Sequence, residues 1–183
     1  MKRALILTSL LAIGAVSGAL AYRAADRERS YRLLVTSGDV ALTQDAPLTA
    51  VEDFSGAIVV RPDAMLPRLR RGETYRRLGD LDLAARDFRA AATLDPTATR
   101  PLDALGDVLF LQARYKRAAE TFQSRLQLDD RSALARYKLA LAQYRDGATD
   151  LALHNAQLAL AIDDQLADAH YLAALCLRDS GRA

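Results

Sequence analysis

One 34-residue unit recurs along this chain, and that period restricts the fold more than any other feature. In Met65–Ala98 the first half carries Gly72 and Tyr75 and closes at Gly79, a residue suited to a helix C-terminus. In the second half Ala84, Phe88 and Ala91 recur at spacings of four and three, one face of a second helix. Asp95-Pro96 stops that helix, because proline disfavours helical geometry in the residue before it. Shifting the frame back one period brings Gly38, Ala50, Phe54, Ala57 and Pro62 onto the same marks. Shifting it forward aligns Leu102, Leu105, Gly106, Ala118 and Phe122, with Asp130 in place of the proline. A second forward shift aligns Leu139, Ala140, Gly147, Ala152, Ala159 and Asp164, and a partial copy from Ala167 keeps Ala174 and Gly181.

Proline and glycine test this frame independently. Pro47, Pro62, Pro67, Pro96 and Pro101 all fall at a predicted helix start or between units. Of the seven glycines after the first 22 residues, six occupy repeat position 8 or 15; Gly56, inside a helix, is the exception. Position 8 is where the two helices of a pair approach closest and position 15 is the turn between them, and both favour a residue without a Cβ. Asp45 and Ala113 take the turn position in the first and third units.

In these marks the chain resembles the tetratricopeptide repeat (TPR) family over Tyr31–Ala183. The resemblance implies an all-α fold, a right-handed superhelical solenoid of antiparallel helix pairs. Four full repeats (31–64, 65–98, 99–132, 133–166) and a partial fifth (167–183) are expected. Abundant alanine and leucine with little β-branching suits such a fold.

The first 22 residues are different in kind. Lys2 and Arg3 precede Ala4–Tyr22, 19 residues without a charge. Two readings stand: a secretory signal ending at Ala19-Leu20-Ala21, or an uncleaved membrane anchor, since about 20 apolar residues span a bilayer. The first reading makes the repeats exported, in the cell envelope or periplasm. Under the second, Arg23, Arg27, Arg29 and Arg32 favour an orientation with the repeats facing the cytoplasm. Residues 23–30 form a charged joint, either a helical extension or a solvated linker. Removing Lys2 and Arg3 from the 25 basic residues leaves 23 against 23 acidic ones. A neutral body does not suit nucleic acid, whose binding requires a basic surface.

No catalytic constellation is visible. His154 falls at an exposed helical position and His170 at a packing position of the fifth unit. His170 and Cys176 lie six apart, which does not place two metal ligands on one helical face. The single cysteine excludes an internal disulfide. Asp95, Asp129-Asp130 and Asp163-Asp164 recur once per unit, in the turn where Asp can cap the next helix. The expectation is a non-enzyme without cofactor or metal.

In TPR proteins the first helices of successive units line a concave groove through positions 2, 5, 9, 12 and 13. The resemblance therefore implies a protein-binding set of Glu73, Arg76, Arg77, Arg100, Asp103, Asp107, Phe110, Tyr137, Leu141, Tyr144, Tyr171, Leu175 and Arg178. It would be charged in its N-terminal half and aromatic in its C-terminal half. For each tyrosine, stacking within the array is the competing role. One TPR subtype holds a peptide's terminal carboxylate with Lys and Asn; here those places hold Leu69 and Glu73, then Asp103 and Asp107, so that clamp is missing. The run Arg68, Arg70, Arg71, Arg76, Arg77 reads as a solvated face.

The function implied is a scaffold binding a protein or peptide. Two alternatives remain: a regulatory or targeting segment of a larger enzyme continuing past residue 183, and self-association through the apolar helix 167–177.

Overall fold

The computed structural model describes residues 2–181, with side chains from Ser17 onward. The described residues form nine α-helices: α1 (Lys2–Thr43), α2 (Pro47–Val60), α3 (Met65–Leu78), α4 (Leu81–Leu94), α5 (Thr99–Leu111), α6 (Tyr115–Leu128), α7 (Ala133–Arg145), α8 (Thr149–Ile162) and α9 (Ala167–Asp179). From α2 onward every helix begins at position 1 or 17 of the 34-residue frame, so the all-α architecture of helix pairs is the one observed. Most of the uncharged stretch Ala4–Tyr22 lies outside the residues whose side chains are described. Among the described residues no helix is long and apolar enough to cross a membrane. Residues 23–30 belong to α1, so the charged joint is helical.

The turn after the first helix of each unit carries the same left-handed residue in all five units. Asp45, Gly79, Ala113, Gly147 and Gly181, at position 15, have φ of 55°, 86°, 56°, 85° and 69°. This left-handed residue lets the next N–H turn back onto the helix, as Asp80 N–H does to the Tyr75 carbonyl (2.9 Å) and Arg114 N–H to Leu109 (2.9 Å). Position 15 is thus a backbone requirement that Asp45 and Ala113 meet without glycine's freedom.

The chain divides into two compact units, Met1–Pro67 and Arg68–Ala183. In the first, Gly38 of α1 lies under the Phe54 ring of α2; a Cβ there would come within 2.5 Å of Phe54 Cε1. Pro47 opens α2, where its missing N–H costs nothing. Arg61 stacks 4.7 Å from the Tyr31 ring centroid and pairs with Glu28 at 2.9 Å.

In the second unit the same contact recurs as Gly72 under Phe88 and Gly106 under Phe122, with both rings fully buried. The fourth repeat replaces the pair by Ala140 and Ala156, each 0% exposed. Two charged joints are also interior. Asp87, 3% exposed, accepts from Arg71 Nε (2.7 Å) and Nη2 (2.8 Å). Arg125 stands in α6 where the other repeats have a buried alanine, and donates to Asp103 (3.2 Å) and to the Asp129 carbonyl (2.6 Å).

Three expectations are corrected by these side chains. The run on α3 is not one solvated face, because Arg71 is paired with buried Asp87 and Arg70 donates to Glu73. The turn aspartates do not cap the next helix. Asp95, Asp129 and Asp163 instead accept from the N–H two residues on, at 3.1, 3.2 and 3.0 Å, the geometry of an Asx-turn. The next helix's cap falls to Ser132 once, with Ala98 and Leu166 giving no side-chain bond elsewhere. His170 is exposed rather than packed, its Nε2 2.9 Å from the Asp164 carbonyl oxygen.

Candidate functional site

Helices α5, α7 and α9, the first helices of successive repeats, turn one face to solvent. Two adjoining hollows lie along it. One, of about 290 Å³, is lined by Arg76, Asp107, Phe110, Leu111, Phe122, Tyr137, Lys138 and Leu141. The other, of about 320 Å³, is lined by Phe110, Tyr137, Leu141, Tyr144, Arg145, Asp168, Tyr171, Leu172 and Leu175. Phe110, Tyr137 and Leu141 border both, so the two hollows form one surface with a shared apolar centre. The wall is mostly carbon, which suits it to an apolar side chain.

The three acidic residues expected on this face are already neutralised. Glu73 pairs with Arg70 (3.2 Å) and with Arg100 of the next repeat (2.7 Å). Asp103 takes Arg125 from its own repeat's second helix. Asp107 accepts from Lys138 of the next repeat at 2.7 Å. These pairs tie one repeat to its neighbour or close a repeat on itself. The partly exposed pairs of Glu73 and Asp107 contribute about 0.2–1 kcal/mol each.

The aromatic end is less committed. Tyr171 is 68% exposed. Tyr137 is half-buried, and burial, then the Asp168 carboxylate, pushes its phenol up from the ordinary tyrosine range. Phe110 meets Tyr115 edge-on, centroids 5.2 Å apart, and Arg145 lies 5.6 Å from Tyr115 and 6.0 Å from Phe110. Tyr144 differs: its hydroxyl donates to Asp179 Oδ2 at 2.6 Å, which raises the phenol. The same bond, then Arg178, holds Asp179 below the usual carboxylate range. Arg178 is thus occupied by Asp179, at 2.8 Å. Arg77 is exposed and lines neither hollow.

Sequence reasoning did not single out Leu111, Lys138, Arg145 and Asp168. Leu111, Arg145 and Asp168 stand at groove positions 13, 13 and 2 of the same frame, so the frame itself could have found them. Lys138 is off that set and is drawn in by Asp107. Among the described residues no cluster of three or more His, Cys, Asp or Glu could hold a metal ion. Cys176 is buried, and burial pushes its thiol up, away from the reactive thiolate.

Comparison with known proteins agrees with the helix-pair fold. No family model matches the chain. The small glutamine-rich tetratricopeptide repeat-containing protein 2 of Mycosarcoma maydis is 26% identical over 110 residues, 60% of this chain. The chain spans only 31% of that relative's length. Among solved structures, MamA protein superposes with a TM-score of 0.80 at 21% identity, covering 85% of either chain. YrrB, a TPR protein with an unusual peptide-binding site, superposes with a TM-score of 0.73 at 19% identity, over 81% of this chain and 77% of that one. The fold is therefore that of tetratricopeptide-repeat proteins.

Proposed function

We propose that this chain, a tetratricopeptide-repeat fold, is a non-catalytic scaffold that holds a segment of another polypeptide along the α5–α7–α9 face. The supporting observation is the shared apolar centre: Phe110, Tyr137 and Leu141 border both hollows, with Tyr171 and Leu175 extending the surface. Exposed apolar and aromatic side chains gathered in a hollow are where binding energy concentrates. YrrB's peptide-binding site belongs to that protein, and it supports this reading by likeness of fold.

A photo-crosslinking amino acid at position 171 tests the face directly, with one at exposed His154 of α8 as control. Adducts with a polypeptide are expected from position 171 and not from 154. Equal adducts at both would sink the assignment. With the captured partner, Tyr137→Ala should weaken binding about tenfold or more, as a hot-spot ring does. Circular dichroism of the variant must remain helical for that loss to count.

We also propose that the scaffold is exported or membrane-tethered, on the strength of the Lys2-Arg3 head followed by uncharged Ala4–Tyr22. N-terminal sequencing of the protein from soluble and membrane fractions separates the cases. A start just after Ala21 means a cleaved signal, and an intact leader in the membrane fraction means an anchor. An intact leader in the soluble fraction would overturn the proposal.

A further inference from the structure

The charges along the face are matched unevenly. Glu73, Asp103, Asp107 and Asp179 each have a cation from this chain within 3.2 Å. Arg76 and Arg145 have no carboxylate within 4.0 Å among the described residues. Arg76 lines the first hollow and Arg145 the second, so the two cations stand on either side of the Phe110–Tyr137–Leu141 centre. The one opposing carboxylate in the second hollow is Asp168, in the first turn of α9, where the helix dipole compensates its charge.

Arg145 is also held in place. Its guanidinium lies over the rings of Tyr115 and Phe110. Stacking engages the flat face of a guanidinium and leaves its N–H edge free to take a carboxylate. A cation fixed this way loses little freedom on binding. Arg76 and Arg145 sit in the last turns of α3 and α7, where they complement the helix dipoles without using their N–H groups.

We propose that the occupant of this face is an acidic peptide segment: a large apolar side chain, or two, seated on Phe110, Tyr137 and Leu141, flanked on both sides by carboxylates that meet Arg76 and Arg145. The inference rests on the groove reading above and adds the chemistry of the partner. It asks for no free C-terminus, since the side chains that bind the carboxylates lie on both sides of the apolar centre.

A displayed library of random 12-residue internal peptides, selected on the full chain and counter-selected on Tyr137→Ala, tests it. Enriched sequences are expected to pair Leu, Phe, Tyr or Trp with flanking Asp or Glu. For such a peptide, Arg76→Glu together with Arg145→Glu should lower affinity about tenfold, since each rim pair contributes a few-fold. Parent affinity should fall as salt is raised toward a Debye length of about 8 Å or less. Enrichment of neutral or basic sequences, or affinity indifferent to the double reversal, overturns the acidic partner and leaves the groove standing. No enrichment over Tyr137→Ala overturns both.

Discussion

The second and third repeats each shut one ring inside the helix pair, and the fourth does not. In the former, Phe88 and Phe122 are shut between the two helices of a pair, over Gly72 and Gly106. In the fourth repeat that joint is Ala140 against Ala156, and the rings, Tyr137 and Tyr144, stand on the open face. Tyr171 of the fifth repeat continues that face. The carboxylates Glu73, Asp103 and Asp107 of the earlier repeats are bound up in ion pairs, as is Asp179 of the fifth. One 34-residue frame thus accommodates two roles for a ring. Inside a pair it contributes stability; on the face it is available to a ligand.

The strongest way to break this contrast is to shorten one ring of each kind. Phe122→Ala removes a ring 1% exposed and should cost about 3–5 kcal/mol of stability. Tyr171→Ala removes a largely exposed ring and should stay within about 0.5 kcal/mol of the parent. Urea midpoints at fixed slope measure both, and similar losses would erase the distinction. The joint itself can then be exchanged. A Cβ at Gly106 would meet Phe122 Cε1 at 2.5 Å, so Gly106→Ala alone should cost about 1–3 kcal/mol by overpacking. Placed on Phe122→Ala, the same Gly106→Ala change should be neutral or stabilising, because it recreates the Ala140–Ala156 pair. Simple additivity of the two changes would show that the ring and the glycine are not coupled.

How far these roles could be read in advance depends on whether the signal is local. Helix boundaries were legible because proline, glycine and small residues act on their own backbone and recur in register. Even so, residue type concealed part of the turn: Asp45 and Ala113 share the left-handed conformation of Gly79 and Gly147, yet neither announces it. Partnerships between helices were not legible. Arg71 and Asp87 meet across a turn, and Arg125 fills a small-residue position only because Asp103 and Asp129 receive it. The candidate face was legible by position, through Phe110, Tyr137 and Leu141. Which charges on it were consumed was not, because Lys138 and Arg100 reach back from a neighbouring repeat. The concealed turn also yields an intermediate effect. Ala113→Gly, in the repeat that buries its ring, should gain about 1 kcal/mol by relieving a left-handed alanine. The corresponding change at the Gly147 turn, Gly147→Ala, should lose a similar amount. A Tm that moves the same way for both would contradict the shared geometry.

The smallest effect concerns the face ring that is not free. Tyr144 donates to Asp179, whereas Tyr137 and Tyr171 have no such bond among the described residues. Asp179 is lowered by Tyr144 and then Arg178, so its share of stability is present above its unfolded range and fades as pH falls through the lower folded value. Tyr144 is raised by the same bond, so its share is complete below the ordinary tyrosine range and fades as pH rises through the higher folded value. The two limits enclose the neutral range. Tyr144→Phe should therefore lower Tm slightly, by about 1 °C, across that plateau. The difference from the parent should close below the carboxylate range and again above the tyrosine range. Asp179 is exposed and Tyr144 only half-buried, which keeps the effect small. A difference unchanged in acid would mean that Asp179 is not the acceptor in solution, and Tyr144 would then join Tyr137 and Tyr171 as a ring free for a ligand.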